Sequence, residues 1–281
     1  RVKTPTLALV VRRERELAAF KPVDYFTVKV LYNHPNGVFW ATWQPTDEQK
    51  GLDPDGRLIN KAIADALVEQ LKDGPDGVIK AVTKSKKKDV QRLPLSLSSL
   101  QVLAGKAFSY DPQTVLDTAQ KLYEKKLTTY PRSDCEYLPP NQYDDRNAIL
   151  NNLQNAGDER LAQWAADADR SIKSRAWNEK KITAHHAIIP TTVACNINSL
   201  SQEERNIYFL ISQAYIAQFY GEHIYEQTKI VVEQCKEEFV ANGRVVIEEG
   251  WKLLYKRHKS KSTTDNDEPD LTDERGAESD P

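Results

Sequence analysis

A tyrosine and an arginine two positions apart are the side chains in this sequence best suited to covalent chemistry. They are Tyr130 and Arg132, separated by Pro131. Proline fixes its own φ and disfavours the helical region for the residue before it, which predicts an extended segment with both side chains near one face. A phenol is a weak nucleophile while protonated, and a guanidinium beside it favours the phenolate and binds phosphate oxygens in pairs. The pair therefore predicts attack on a phosphate; a Tyr-Pro turn with a surface arginine is the alternative explanation.

The histidines and cysteines offer no metal site by their spacing. His185 and His186 are adjacent, so in an extended chain their side chains point to opposite faces, which disfavours a metal clamp made by this pair. The cysteines are odd in number and widely spaced, which predicts reduced thiols and not a disulfide framework or a zinc site. They are Cys135, Cys195 and Cys235.

Two periods of hydrophobicity predict the elements that must position these residues. Alternating apolar and polar residues predict strands at residues 25–32, 38–43, 78–82, 225–233 and 238–248. Apolar residues at helical spacing predict helices at residues 4–18, 60–72, 99–106, 112–123, 145–155, 159–168 and 201–220. The predicted hairpin turns are Pro35-Asn36-Gly37 and Asn242-Gly243, and the lysine-rich residues 84–89 are predicted to be a connector.

Polar residues before the apolar stripes are the predicted helix caps. They include Thr4, Ser98, Asp111 and Ser201. The helix after Asp111 is predicted to bury Val115, Leu116, Ala119, Leu122 and Tyr123. This helix and the one before it, joined by residues 105–111, resemble a helix-turn-helix unit that is followed by the tyrosine segment.

The strands lie on both sides of the helices in the sequence, which predicts an α+β fold. A discontinuous β-rich domain, residues 23–92 and 221–255, is expected to contain an inserted, mostly α-helical domain, residues 93–220, that carries the tyrosine. Residues 1–22 are predicted to form a separate helix. The acidic residues 256–281 are predicted to be a disordered tail or linker, because they have too few apolar side chains to fold.

Composition bounds the class of protein. The chain has 281 residues, of which 40% are hydrophobic, enough for more than one core. Residues 262–281 contain eight of the 41 acidic residues and one of the 39 basic ones, so the rest of the chain carries about +5 and permits a nucleic-acid partner. Without a signal peptide or an apolar run of roughly 20 residues, a cytoplasmic protein is expected. The start at Arg1 and the absence of Met predict a piece of a longer protein.

Four ordered motifs resemble those of type IA DNA topoisomerases. They are Arg-Val-Lys-Thr-Pro at residues 1–5, Pro-Leu-Ser-Leu-Ser-Ser-Leu-Gln at 94–101, Thr-Tyr-Pro-Arg-Ser-Asp at 129–134 and Ala-His-His-Ala-Ile-Ile-Pro-Thr at 184–191. The proline after the tyrosine, the double histidine and Arg-Ser-Asp-Cys are most similar to bacterial topoisomerase III. The resemblance covers residues 1 to about 255.

The resemblance implies roles for individual residues. Tyr130 would be the nucleophile that forms a 5′-phosphotyrosyl intermediate, and Arg132 would position the scissile phosphate and offset its charge. His185 would donate a hydrogen bond or take part in proton transfer near the phosphate, with His186 in a supporting position. The expected DNA-binding residues are Arg1, Lys3, Ser98, Gln101 and His186.

The resemblance also implies an activity. The parent enzyme would cut one DNA strand, pass a strand and religate without ATP, giving relaxation or decatenation in the bacterial cytoplasm, at the nucleoid. Its partners would be single-stranded DNA and other domains of the same polypeptide, with no nucleotide and no membrane. Mg²⁺ would be bound by an N-terminal domain preceding Arg1, so no metal site is expected here and the isolated chain is expected to be inactive. The β-rich domain would be the family's arch, and residues 1–22 part of its DNA-gripping domain.

Three other classes compete with this interpretation. A relaxase also uses a tyrosine on single strands, but its histidines alternate to share one metal, whereas these are adjacent. A tyrosine recombinase places its nucleophile after its arginine and histidine elements, whereas Tyr130 precedes His185. A non-catalytic single-stranded DNA-binding module with stacked aromatics and cations stays open as the alternative, to be separated by replacing Tyr130.

Overall fold

The computed structural model describes residues 2–46, 48–182 and 184–256 and contains both helices and strands there. The α-helices are α1 (Lys3–Ala18), α2 (Lys61–Lys72), α3 (Leu97–Phe108), α4 (Pro112–Glu124), α5 (Arg146–Gln154), α6 (Glu159–Asp167) and α7 (Gln202–Ile216). The strands are β1 (Lys29–His34), β2 (Gly37–Gln44), β3 (Val78–Asp89), β4 (His223–Gln234) and β5 (Glu237–Glu248). The predicted mixture of helices and strands is confirmed.

The chain divides into two compact units. The first contains the residues up to Ser85 together with Gln227–Arg244, and the second contains Lys86–Glu226 together with the residues from Val245. Each unit has a hydrophobic core. The first core includes Val28, Ala41, Trp43, Leu58, Leu67, Val232 and Phe239. The second is larger and includes Leu100, Leu122, Leu138, Leu150, Leu161, Ile188, Ile211 and Phe219.

The strands form one antiparallel sheet in the order β1-β2-β5-β4-β3. The predicted turn at Pro35-Asn36 is confirmed, because His34 pairs with Gly37 across the first hairpin. The predicted turn at Asn242-Gly243 is wrong, since both residues lie inside β5. The second hairpin turns at Cys235 and Lys236, which have φ values of 56° and 69°. A two-residue hairpin loop of this kind needs positive φ at both positions, and neither residue type signals it.

The lysine-rich residues 84–89 are also not the predicted connector, because they form the second half of β3. Strand β3 lies at an edge of the sheet. Lys80 forms an ion pair with Glu233 over 3.0 Å, and Lys88 forms one with Glu222 over 2.9 Å. Lysines are common on edge strands because their charge discourages pairing with another chain.

Two predicted helix caps are wrong by two residues. Helix α1 begins at Lys3 after Val2, so Thr4 lies inside its first turn. Proline is tolerated there, because the N–H groups of a first turn have no helical partner. Helix α3 begins after Ser96, whose hydroxyl accepts from the N–H of Ser99 over 3.3 Å in a capping box, so Ser98 lies inside the helix. A serine run offers several caps, and the buried position of Ser96 selects among them.

The predicted caps of α4 and α7 are confirmed. Asp111 accepts from the N–H groups of Gln113 and Thr114, and Ser201 and Glu204 form the predicted capping box. The three cysteines are free thiols, as predicted. In the described ranges, no helix is long and apolar enough to cross a membrane. The predicted acidic tail, from residue 257 onwards, lies outside the described residues.

Candidate active site

Helix α4 ends in a turn that starts the tyrosine segment. Lys126 has a left-handed φ of 61°, and its N–H donates to the carbonyl oxygen of Tyr123 over 2.8 Å. The N–H of Leu127 donates to the carbonyl oxygen of Leu122 over 2.9 Å. Together these bonds form a Schellman motif, and both leucines are buried. The motif ends the helix and fixes the direction in which residues 127–130 leave it.

The tyrosine segment then pairs with the chain that follows the two histidines. The N–H of Thr129 donates to the carbonyl oxygen of Ile189 over 2.9 Å, and the N–H of Thr191 donates to that of Leu127 over 3.1 Å. The hydroxyl of Thr129 donates to the carbonyl oxygen of Ala187 over 3.1 Å and accepts from the N–H of Ile189 over 3.0 Å. These bonds hold the double-histidine motif beside the tyrosine.

The Pro-Leu-Ser motif is joined to the same framework. The N–H of Leu97 donates to the carbonyl oxygen of Ser133, and the N–H of Ile188 donates to that of Leu95, each over 2.8 Å. Residues 95–97 are therefore bonded both to the tyrosine segment and to the segment after His186. Three of the four motifs found in the sequence come together in the second unit.

Side chains along the tyrosine segment alternate between solvent and core. Tyr130 and Arg132 are exposed, whereas Pro131 and Ser133 are buried. The predicted extended conformation is wrong at Pro131 and Arg132, where the chain bends, but the phenol and the guanidinium both lie on the solvent side. Within the described residues, the Arg132 side chain has no hydrogen bond or ion pair. Its donors are available for a bound anion.

His185 contacts the tyrosine directly. Its ring centroid lies 4.7 Å from that of Tyr130, with the planes inclined by 44°. Both side chains are exposed, and 37% of Tyr130 is accessible to solvent. An imidazole in contact with a phenol ring is a proton-carrying group close to the side chain predicted to attack a phosphate.

His186 is turned into the protein. Its Nδ1 lies 2.8 Å from the carbonyl oxygen of Ala187 and its Nε2 lies 2.9 Å from the amide nitrogen of Gln142. Because a carbonyl oxygen only accepts, Nδ1 carries the hydrogen and Nε2 accepts from Gln142. With both ring nitrogens engaged, His186 is suited to holding the backbone of its neighbour His185. Nothing in the sequence signals Gln142, which is remote along the chain.

Tyr123 is a further residue that sequence reasoning misplaced. It was predicted to be buried in α4, but 40% of it is exposed. Its ring centroid lies 5.7 Å from that of Tyr130, with the planes nearly perpendicular at 83°. Its position one residue beyond the buried Leu122 rotates it about 100° around the helix axis, to the border of the apolar stripe.

The remaining predicted DNA-binding residues are divided between the two units. Ser98 is exposed in the first turn of α3, while the amide nitrogen of Gln101 donates to the carbonyl oxygen of Pro112 over 2.9 Å and links α3 to α4. Lys3 is exposed at the start of α1, in the first unit. Arg1 lies outside the described residues.

Acidic side chains occur beside the tyrosine segment but form no metal centre. Asp134 and Glu136 line an open depression of about 260 Å³, together with Ser96, Tyr137 and Lys181. The hydroxyl of Ser96 donates to Glu136 over 3.2 Å. Among residues 2–46, 48–182 and 184–256, no three His, Cys, Asp or Glu side chains come together as metal ligands.

Residues 1–278 match the family model described as DNA topoisomerase, so the chain belongs to the DNA topoisomerase family. Within that family the chain is similar to proteins named DNA topoisomerase 3. It is 40% identical to that of Vibrio cholerae over 264 residues and 33% identical to that of Bacillus subtilis over 259 residues. The expected similarity to bacterial topoisomerase III is confirmed.

These relatives are longer than the chain. The alignments cover 90% of this chain and 40% of the Vibrio protein, and 91% of this chain and 34% of the Bacillus protein. A solved structure of full-length topoisomerase I from Thermotoga maritima matches with a TM-score of 0.60 at 21% identity, covering 94% of this chain and 41% of that one. That likeness supports the fold.

Proposed function

We propose that this chain carries the nucleophile of a type IA DNA topoisomerase, and that Tyr130 is that nucleophile. The observation that supports the proposal is the exposed phenol of Tyr130 in ring contact with His185, two residues from Arg132, whose guanidinium has no partner among the described residues. The β-rich unit and the helical unit would correspond to a discontinuous arch domain and an inserted tyrosine domain.

In the proposed reaction, the phenolate oxygen of Tyr130 attacks the phosphorus of a phosphodiester in single-stranded DNA. A bond forms between that oxygen and phosphorus, and the bond from phosphorus to the 3′-oxygen of the preceding nucleotide breaks. The phenol proton passes through the imidazole of His185 to the leaving 3′-oxygen, which departs as a hydroxyl. Arg132 donates to the phosphate oxygens and offsets the charge that accumulates on them in the transition state.

Religation reverses these steps after a strand has passed through the break. The phosphotyrosyl bond conserves the energy of the phosphodiester, so the 3′-hydroxyl can attack it without a nucleotide. Relaxation or decatenation would follow from repeated cycles on DNA in the bacterial cytoplasm. Lys3, Ser98 and, in the parent protein, Arg1 are proposed to contact the DNA backbone, whereas Gln101 and His186 are proposed to support the site from within the protein.

The Mg²⁺ that the family resemblance implies does not fit the residues described here. Asp134 and Glu136 lack a third ligand among the described residues. We assign the metal to residues of the longer polypeptide outside this chain. The proposed proton transfer and phosphate binding use protein groups only.

The polarity of the covalent product tests the proposal. The full-length protein is incubated with a single-stranded oligonucleotide labelled at one end, denatured and separated by electrophoresis. A 5′-phosphotyrosyl bond leaves the 3′-end label on the protein and releases the 5′-end label. Retention of the 5′-end label would contradict the proposed bond. Binding without any retained label would favour the non-catalytic single-stranded DNA-binding module.

A further inference from the structure

Tyr123 is an exposed aromatic ring that the proposed chemistry does not use. It lies in the last turn of α4, one residue after the buried Leu122. Its ring meets that of Tyr130 at nearly a right angle, with centroids 5.7 Å apart, and 40% of the residue remains exposed. A tyrosine that served only to fill the core would be covered. Here the contact with Tyr130 leaves a large part of the side chain facing solvent.

The backbone around Tyr123 is fixed. Its carbonyl oxygen accepts from the N–H of Lys126, and the buried residues on either side of that turn, Leu122 and Leu127, anchor it to the core. A ring held on a rigid element is ordered before a ligand arrives. Less entropy is then lost when the ligand binds.

Two exposed cations lie close to Tyr123 in the sequence. Lys126 follows it by three residues, is exposed, and forms no ion pair or hydrogen bond through its side chain within the described part of the protein. On the other side of Tyr130, Arg132 is similarly exposed and unpaired. An aromatic face with cations near it is the arrangement by which proteins bind single strands, because bases stack on the ring and phosphates contact the charges.

We propose that Tyr123 is a stacking platform for a nucleobase of the single-stranded DNA, adjacent to the phosphate that Tyr130 attacks. The inference rests on the proposed function, because it uses the DNA strand held at Tyr130. Stacking accepts any base, since every base has a π face, so the platform contributes affinity and register without sequence preference. Lys126 contacts the phosphate of the stacked nucleotide.

The test is binding to oligonucleotides in which single bases have been removed. The full-length protein carries Tyr130→Phe, so that no cleavage occurs and the ring next to Tyr123 is kept. Binding of a fluorescent oligonucleotide is measured by anisotropy, for the intact strand and for strands with one abasic position moved through the bound region. We expect one abasic position to weaken binding about tenfold.

Substitutions at Tyr123 then assign that effect to the ring. Tyr123→Phe should behave like the parent, because it keeps the π face. Tyr123→Leu, which keeps apolar bulk, and Tyr123→Ala should bind intact DNA about tenfold more weakly and lose their sensitivity to the abasic position. If both variants bind intact DNA normally, or lose the same factor on intact and abasic strands, the stacking proposal is wrong.

The result of the stacking test can be distinguished from the result of the test for the Tyr130 nucleophile. Covalent adduct formation is measured in parallel with Tyr130 restored. An adduct together with unaltered binding by Tyr123→Leu would contradict only the stacking platform. A loss of base-dependent binding in Tyr123→Leu with no adduct in the unsubstituted protein would support the platform and contradict the nucleophile.

Discussion

At the residue scale, the exposed guanidinium of Arg132 has the clearest consequence for phosphate binding. Its side chain has no partner among the described residues, so its N–H donors are available to bind a phosphate. Transition-state charge on phosphate oxygens is best met by paired donors in a fixed plane, which arginine supplies and lysine does not. Arg132 therefore matters more for its geometry than for its charge alone.

Replacing Arg132 tests that distinction. Arg132→Ala should slow covalent adduct formation at saturating oligonucleotide by about 10²–10³-fold, the usual cost of losing one transition-state donor. Arg132→Lys should recover only part of that loss. Arg170→Ala is a control, because Arg170 is a half-buried arginine of the same unit whose guanidinium already bonds Asn151 over 2.7 Å. A wild-type rate for Arg132→Lys would show that charge alone is needed.

Residue-scale prediction from sequence succeeded only in part at the tyrosine segment. Tyr130 and Arg132 share an exposed face, as their spacing of two predicts, but the chain bends at Pro131 and Arg132 and is not extended there. Prediction failed at Tyr123, which looked like part of an apolar stripe. A helical residue one position beyond that stripe can face either core or solvent, and only the packing of neighbouring elements decides between them.

At the scale of elements, caps and turns decide how precisely the site is held. The cap of α3 lies within the framework of the tyrosine segment, because Leu97 donates to Ser133 directly after Ser96. Ser96 is buried and its hydroxyl accepts from Ser99 and donates to Glu136, whereas Ser98 is exposed. The two serines therefore differ in what they contribute to stability.

This difference gives a paired prediction. Ser96→Ala should lower the free energy of unfolding by about 1 kcal/mol through loss of the cap. Ser98→Ala should change it by less than about 0.5 kcal/mol, as expected for a surface residue whose side chain has no partner in the described ranges. Urea denaturation of the purified chain measures both. Equal effects, or a larger effect for Ser98→Ala, would contradict the position of the cap.

An ion pair holds the C-terminal end of α4, from which the tyrosine segment starts. Lys125, directly after α4, lies 2.7 Å from the carboxylate of Glu204 in the first turn of α7. Burial alone would raise the pKa of the Glu204 carboxyl, but hydrogen bonds from Lys125 and the Ser201 N–H, together with the Lys125 charge, outweigh it and lower the pKa. Only 5% of Glu204 is exposed, so losing the pair would leave a charge poorly solvated.

The lowered pKa predicts a pH-dependent stability. A depressed folded-state pKa stabilises the fold above the unfolded value of about 4.3, and the stabilisation is lost as pH falls through the folded value. Glu204→Ala should cost about 2 kcal/mol at pH 7, and Glu204→Gln less, since it keeps a capping side chain. The difference between wild type and Glu204→Gln should shrink below about pH 4. A difference that is constant down to pH 3 would rule out the ionised pair as its source.

Element prediction was most reliable where several local signals agreed. Ser201 with Glu204, and Asp111 before Pro112, each combine a cap with helix-compatible neighbours, and both caps were correct. The Cys235-Lys236 turn could not be found, because the register between β4 and β5 imposes positive φ on residues that do not prefer it. Residues 84–89 were misassigned because sheet pairing, not alternation, makes them a strand.

At the scale of the whole molecule, the chain covers about two fifths of the Vibrio relative it matches. The described residues hold a tyrosine, an arginine and a histidine together but no group of metal ligands. We therefore propose that cleavage needs residues of the longer polypeptide. The family was indicated by the resemblance of the ordered motifs and not by composition. The net charge of −2 conceals the charge of about +5 carried by the residues before 262.

The purified chain provides the corresponding test. With Mg²⁺ and negatively supercoiled plasmid, it should give no relaxation, while the full-length protein relaxes the same substrate. A urea unfolding transition of the purified chain shows whether it is folded, so that a lack of activity can be distinguished from a lack of structure. Relaxation by the chain alone would contradict the proposal and would require a metal site within it.

Replacement of the phenol oxygen tests the central claim most directly. Full-length protein and its Tyr130→Phe variant are compared for covalent adduct formation and for binding to the same single-stranded oligonucleotide. The variant should form no adduct and should bind within about twofold of the wild type, because it lacks only the attacking oxygen. An adduct that persists in Tyr130→Phe would show that another residue is the nucleophile. Binding that falls as far as adduct formation would favour the non-catalytic DNA-binding module.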